Sequence, residues 1–215
     1  VADENLKNEK EAIEYWNKRF KKDDCVGWGS HPKDQWYRAK KEAVQKVIRE
    51  NPDVKTVLDI CCGDMKFMME IPELKNNTVK YTGIEPAKSI YDKITKEYPD
   101  KEILNISPSE LIKTTMNRDV DMIIAYDFLF HIIEDELYEN FLKWVFHRNV
   151  KFVVISYDDV QSKEQRSENG HYVPRNFKEY CKSLTYGFLP IQEVKSTRKS
   201  SLKLNVFKTK NQTDR

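Results

Sequence analysis

Beyond Pro52 the chain alternates between two hydrophobic periods, and this alternation narrows its choice of fold more than any other feature. Short apolar, β-branched runs occur at KTVLDI (55–60), KYTGIE (80–85), VDMIIAY (120–126) and KFVVISY (151–157), with a weaker one at KEILNI (101–106). Helical patterns separate them, most clearly SIYDKITKEY (89–98) and EDELYENFLKWVF (134–146). Near-continuous apolar strands with helices between them imply a parallel sheet covered on both faces. Right-handed crossovers make such a sheet doubly wound. The end of the chain breaks the alternation. FLPIQEVKST (188–197) and SLKLNVFKTK (201–210) are strand-like runs joined by a short RKS segment, the spacing of an antiparallel hairpin at the sheet edge. The expected class is therefore α/β: a doubly wound, mostly parallel seven-stranded sheet with an antiparallel C-terminal hairpin.

Two helices are expected ahead of the sheet. The charged stretch 3–23 places Trp16 and Phe20 four residues apart on one face, and after the loop DDCVGWGSHP a second helix is expected over about 33–50. Residues 1–50 then form an N-terminal helical segment of the same domain as a 51–210 core, with 211–215 as a frayed tail. A chain of 215 residues is long enough for one domain with a proper core.

Composition excludes some classes. With 37 basic and 35 acidic residues the net charge is +2, which does not point to a general polyanion binder. No apolar run reaches the length of a membrane span, so no membrane association is expected. The start, VADENLKNEKEAIEYW, lacks a signal-peptide core, and its first residue, Val1, fits a processed or truncated beginning. The cysteines (Cys25, Cys61, Cys62, Cys181) contain no C-x-x-C pair, so no metal site is expected; reduced thiols and a cytoplasmic location are the simple reading.

In doubly wound sheets, ligands bind beyond the carboxyl ends of the strands, where strand order reverses. VLDICCGDM (57–65) stands at such an end. Gly63 lets the backbone turn close to a ligand. In the next strand, GIEPA places Glu85 22 residues beyond Gly63, where a carboxylate can accept hydrogen bonds from both hydroxyls of a ribose. Asp59 and Gly63 together with Glu85 suggest a nucleoside ligand. The plainer alternatives are that Asp59 caps the following turn and that Glu85 is an exposed turn residue before Pro86. The dinucleotide fingerprint is missing: from Cys61 the run is C-x-G-x-x-K, which disfavours NAD and FAD, and no P-loop is present. A nucleoside cofactor without a pyrophosphate fits better, S-adenosylmethionine above all.

On these residues, over roughly 34–210, the chain resembles the class I S-adenosylmethionine-dependent methyltransferases. VLDICCGD is similar to that family's first motif, GIEPA to its second, NISPSEL to its third and VDMIIAYDFLFHI to its fourth. WNKRF…GWGS, DFLFHIIEDELYENFL and HYVPRNFKEY are similar to a group of small bacterial-type methyltransferases of poorly defined substrate. The resemblance implies a cofactor site of Asp59, Cys61, Gly63, Glu85 and Pro86. It adds Ser107 where many relatives carry an aspartate for the adenine amino group, and Asp127 as a contact to the cofactor's amino group or to a substrate donor, which makes it a catalytic candidate as well. Arg38 or Lys41 could meet the methionine carboxylate by a charge-assisted bond, or else belong to a solvated helix face. The N-terminal segment lids the site in the resembled fold. Cys61 and Met65 replace glycines of the usual first motif, and Met65 is bulky enough to reshape the loop beside the methionine tail. These departures leave open a weak cofactor site or a non-catalytic relative.

Asp127 and His131 follow the fourth strand, which faces the transferred methyl in the resembled fold. His131 is a candidate general base, since an unperturbed imidazole titrates near neutrality, or else a packing residue at a helix start. His171 is the second candidate base. Trp28, Tyr126, Tyr172 and Arg175 are candidate substrate contacts; Tyr126 reads equally as core, and the segment SENGHYVPRNF as an ordinary surface loop. Methyl transfer from a sulfonium is an in-line displacement, for which a protein mainly supplies alignment and a dry pocket. A small-molecule oxygen or nitrogen is the first choice of acceptor. RNA or cap methylation is the rival, with aromatic residues among basic ones at 28–41 able to stack bases. A non-catalytic binding subunit is a third reading, and an NAD-dependent oxidoreductase is weakened by the missing glycines.

Overall fold

The computed structural model describes residues 6–23, 26, 30–114, 119–158, 171–196 and 202–210. Its strands are β1 (Thr56–Ile60), β2 (Lys80–Ile84), β3 (Glu102–Leu104), β4 (Met122–Ala125), β5 (Phe152–Asp158), β6 (Phe188–Lys195) and β7 (Leu202–Thr209). They form one seven-stranded sheet in the order β3-β2-β1-β4-β5-β7-β6. The first five strands pair in parallel; β7 pairs antiparallel with β5 and β6 antiparallel with β7. Strand order reverses between β1 and β4, and this creates a crevice beyond their carboxyl ends.

The strand interiors explain the pairing. Along β4, Met122 and Ile124 join the core on one face of the sheet while Ile123 and Ala125 join the core on the other; β5 repeats this with Phe152 and Val154 against Val153 and Ile155. Both faces of these strands are thus apolar and buried, as a parallel sheet covered by helices demands. Edge strand β6 has the opposite character. It is mostly exposed, Leu189 and Ile191 among the rest, and its ladder is interrupted between Pro190 and Gln192. A proline without an N–H is tolerated at such an edge.

The helices are α1 (Glu9–Asp23), α2 (Gln35–Glu50), α3 (Pro72–Lys75), α4 (Lys88–Glu97), α5 (Pro108–Lys113), α6 (Asp135–Phe146) and α7 (Phe177–Cys181). The side chain of Asp34 caps α2 by accepting from the Trp36 N–H at 2.8 Å. Buried Trp36, Lys40, Ala43, Val44 and Val47 lie on one helical stripe of α2, so a lysine sits among the apolar residues. Helix α1 spans the starts of three other helices. The Glu9 carboxylate accepts from the Ser109 N–H (2.9 Å) and hydroxyl at α5, the Glu9 N–H donates to Glu134 beside α6 (2.9 Å), and Asn17 accepts from the Ser89 N–H on α4 (2.9 Å). These contacts hold α1 across the crevice. Among the described residues no helix is long and apolar enough to cross a membrane.

Candidate active site

The crevice holds a cavity of about 270 Å³ whose wall includes Asp59, Gly63, Glu85, Lys40, His131 and Trp16. Its floor is the turn after β1. Cys61, Gly63 and Met65 all have left-handed backbones (φ +55°, +59° and +57°), and only Gly63 is a glycine. At Gly63 a Cβ would also lie 3.3 Å from the Val26 side chain, so the glycine answers both a backbone and a space requirement. The Met65 side chain is fully buried in the core, and Asp64 and Phe67 rather than Met65 border the cavity. The bulk of Met65 points into the core and not into the cavity.

Two buried carboxylates stand on the wall. Glu85 follows β2, accepting from the Gly63 N–H (3.0 Å) on one oxygen and the Ala87 N–H (2.8 Å) on the other. Burial pushes it up to about 7 against these two donors. Asp59, at the end of β1, accepts from the Tyr81 hydroxyl at 2.7 Å; burial raises it to about 7, opposed by Tyr81 and by the charge of Lys40. Pro86 and Cys61 also border the cavity. Burial, with Glu85 close by, holds the Cys61 and Cys62 thiols well above their usual range, so neither is a thiolate nucleophile.

Asp127 follows β4 with a left-handed backbone (φ +49°). Its carboxylate accepts from Trp36 Nε1 (2.9 and 3.2 Å), Lys40 Nζ (2.6 Å) and Ser156 Oγ (3.0 Å). Burial works against the charge, but Lys40 and these hydrogen bonds hold the carboxyl below its usual value. A carboxylate so fully engaged is a poor proton acceptor. What it holds is Lys40, whose side chain is 3% exposed, borders the cavity, and lies 4.9 Å from the Phe67 ring and 5.9 Å from the Tyr126 ring. The Tyr126 hydroxyl donates to the Lys40 carbonyl at 3.0 Å.

The far end of the cavity is aromatic. His131 closes a 3₁₀ turn (Leu129–His131), and its Nδ1 lies 2.7 Å from the His171 carbonyl. A carbonyl only accepts, so Nδ1 carries the proton and Nε2 keeps the lone pair. Burial pushes His131 down to about 4, leaving it neutral at physiological pH. The His171 ring stacks between those of His131 (5.5 Å) and Tyr15 (4.6 Å), and Trp16 meets His131 edge-on at 5.0 Å. Tyr172 packs on Phe130 at 4.9 Å. The 171–175 segment is tied to the turn after β4: the Val173 N–H donates to the Phe130 carbonyl, and Arg175 donates to the Ile132 and Ile133 carbonyls and to Asp135.

Most expected site residues thus converge here: Asp59, Cys61, Gly63, Glu85, Pro86, Tyr126, Asp127, His131, His171 and Tyr172 all border the cavity. Three do not. Arg38 is exposed on the outer side of α2, and neighbouring Lys41 pairs with Glu70 at 2.5 Å. Ser107 is spent in the capping box of α5, accepting from the Glu110 N–H. Arg175, also lying over the Tyr138 ring, is buried away from the cavity wall and clamps the 171–175 segment. Trp28 lies outside the described residues. The residues that sequence reasoning passed over are Lys40, Arg19 and Tyr81. The trace of Lys40 was there to see: a lysine four residues after Trp36, inside an apolar stripe.

The order of strands, the switch point between β1 and β4 and the antiparallel finish settle the architecture. The fold is that of the class I methyltransferases. In the solved structures, the N-methyltransferase NodS from Bradyrhizobium japonicum WM9, in complex with S-adenosyl-L-homocysteine, superposes with a TM-score of 0.69 at 12% identity, covering 95% of this chain and 100% of that one. Magnesium protoporphyrin IX methyltransferase (ChlM) from Synechocystis PCC 6803, with bound SAM, gives 0.68 at 12% identity, covering 95% and 98%. The methyltransferase domain of bacterial CtHen1-C gives 0.56 at 18% identity, covering 80% and 97%. By sequence, no protein-family model and no curated protein matches the chain.

Proposed function

We propose that this chain is an S-adenosylmethionine-dependent methyltransferase acting on an oxygen or nitrogen of a small molecule. The observation that carries the reading is the Glu85 carboxylate, buried on the cavity wall at the end of β2 and bridged to the Gly63 turn. Such a carboxylate, beside a turn that has no side chain, suits the two hydroxyls of an adenosine ribose. NodS and ChlM, solved with S-adenosyl-L-homocysteine and SAM, support the same ligand. In this reading Lys40, rather than exposed Arg38, meets the methionine carboxylate, supported by its place on the cavity wall, and its ion pair with Asp127 orients it.

Bound S-adenosylmethionine supplies a methyl already activated on a sulfonium. The work of the chain is then alignment and exclusion of water. Helix α1 roofs the cavity with Trp16 and Ile13, and the Trp16, Phe130 and Tyr172 rings line its far end. Neutral His131 offers Nε2 as a hydrogen-bond acceptor that turns an acceptor lone pair toward the methyl and receives its proton.

Calorimetric titration with S-adenosylmethionine, S-adenosylhomocysteine and NAD tests the reading. Binding of the first two without the third is the expected result, and Glu85→Ala abolishes it. An unchanged dissociation constant in Glu85→Ala sinks the ribose assignment. Failure of wild type to bind either adenosyl ligand leaves a non-catalytic methyltransferase-like subunit.

A further inference from the structure

The far end of the cavity carries two fixed polar features among its rings. One is the Nε2 lone pair of His131, fixed by the Nδ1 bond to the His171 carbonyl; no described residue hydrogen-bonds Nε2. The other is Arg19, which follows Trp16 on the same face of α1 and borders the cavity. Its guanidinium lies 5.1 Å from the Trp16 ring centre and donates to the Tyr15 hydroxyl at 3.2 Å, and no carboxylate among the described residues pairs with it. Its positive charge reaches His131, where it opposes protonation. The start of α1 serves the opposite end, where Glu9 lies close enough to Cys61 to act on its thiol. The helix thus presents an acid toward the turn after β1 and a base toward the aromatic end.

A half-buried guanidinium on an aromatic wall, lacking an acid of its own, is a site for a planar anion. Arginine binds carboxylates through two parallel N–H bonds and stacks on rings. The rings of Trp16, Phe130, His131 and Tyr172 favour a flat, apolar body between the two polar points. The Nε2 lone pair requires that the ligand bring an O–H or N–H. A cationic amine is disfavoured by Arg19.

We propose that the methyl acceptor is an aromatic carboxylic acid carrying a ring hydroxyl or amino group, with its carboxylate on Arg19 and its O–H or N–H on Nε2 of His131. This rests on the methyl-transfer reading above. In the step, the acceptor heteroatom forms a bond to the methyl carbon, the carbon–sulfur pair returns to sulfur, and the displaced proton passes to Nε2 and then to solvent. The proton becomes labile as the heteroatom shares its pair, so a weakly basic imidazole suffices to receive it.

The test is binding, independent of turnover. The protein is saturated with S-adenosylhomocysteine and titrated with 3-hydroxybenzoate, 4-hydroxybenzoate and anthranilate, and with the methyl ester of each. At least one acid is expected to bind about tenfold or more tighter than its ester, the size of one charge-assisted hydrogen bond. Arg19→Gln collapses that preference while leaving S-adenosylhomocysteine affinity unchanged, and Arg19→Lys retains part of it; both keep a good helix former on α1. Acids and esters bound alike, or no acid bound to the saturated protein, overturn the proposal and leave the methyltransferase reading standing. Loss of S-adenosylhomocysteine affinity in Arg19→Gln overturns it too, by assigning Arg19 to the cofactor. If wild type does not bind S-adenosylhomocysteine at all, the parent reading falls, and the proposal with it.

Discussion

Replacing Lys40 by methionine removes one charge of a buried pair while keeping the length of the side chain. Lys40 Nζ lies 2.6 Å from Asp127 Oδ2, with the two side chains 3% and 27% exposed. Breaking such a pair from one side costs about 3–5 kcal/mol, because the remaining charge stays buried without its partner. In a domain of this size each kcal/mol moves Tm by roughly 2–4 °C, so Lys40→Met should melt about 6–20 °C lower near neutral pH. The pH dependence gives a sharper test. In wild type the Asp127 carboxyl is depressed, so its contribution is present above the unfolded carboxylate value of about 3.9 and is lost only as pH falls through the lower folded value. Without Lys40, burial becomes dominant and the carboxyl rises. The variant then recovers stability by taking up a proton on acidification, and its deficit narrows from about pH 8 to about pH 5. Lys40→Met/Asp127→Asn should regain most of the loss, and the cycle isolates the coupling. Urea and thermal unfolding followed by circular dichroism across that range provide the readout. A Lys40→Met cost below about 1 kcal/mol, the size of an exposed ion pair, would refute the reasoning, since it would mean that water screens the site.

Four further outcomes are expected. Cys61→Gly relieves a left-handed backbone at roughly 1–2 kcal/mol, offset by about 0.5–1 kcal/mol of glycine entropy, so Tm should rise slightly; a fall would show that thiol packing outweighs the strain. Affinity for S-adenosylhomocysteine should climb as pH rises through about 7, by at most about tenfold per unit, since ribose hydroxyls donate to an ionised Glu85, and Glu85→Gln should flatten whatever binding remains. The stability of the unliganded chain runs the other way: the contribution of a raised carboxyl is full below its ordinary value and is lost as pH rises through about 7, which unfolding of Glu85→Gln would check. Arg175→Ala strips the Ile132 and Ile133 carbonyls of a buried donor and should cost about 1–3 kcal/mol; an unchanged Tm would show that the 171–175 segment is held by other contacts.

The strands were legible because their signal is local. Runs such as VDMIIAY are apolar at every position, and a strand buried on both faces demands that; their boundaries shift by only a residue or two in the structure. Gly63 and Glu85 were legible for a related reason, since each stands at the end of such a run. The short helices at 72–75, 108–113 and 177–181 gave no periodic signal, being too brief to show a stripe. The capping box at Ser107 was visible as S-x-x-E, yet the resemblance drew that serine toward adenine instead. Lys40 and Arg38 differ by two positions on one helix, which turns them about 200° apart, so one is buried and the other exposed. Choosing between them required the helical phase, which Trp36 and Val44 supplied. The Arg175 clamp was out of reach, because the Ile132 and Ile133 carbonyls it grips lie more than forty residues earlier, in a turn whose path the sequence does not reveal.

The two unusual residues of the β1 turn bear on whether the site works. Left-handed non-glycine residues cost of order 1–3 kcal/mol each, and they persist only where surrounding structure over-determines them. Besides Cys61, Met65 and Asp127, the described non-glycine residues with positive φ include Asn77 alone, in a turn after α3 where asparagine tolerates that conformation. The other three all lie at the carboxyl ends of β1 and β4. Each is held by its neighbours: Cys62, beside Cys61, donates its N–H to the Ile84 carbonyl; Met65 is anchored by a fully buried side chain; Asp127 is fixed by Trp36, Lys40 and Ser156. Glycines would give the turn its shape through freedom, whereas here the core imposes it. A turn held from beneath loses little further entropy when a ligand settles on it, so replacing glycines by Cys61 and Met65 does not argue for a defunct site. Three of these four left-handed residues thus lie where a ligand would be gripped.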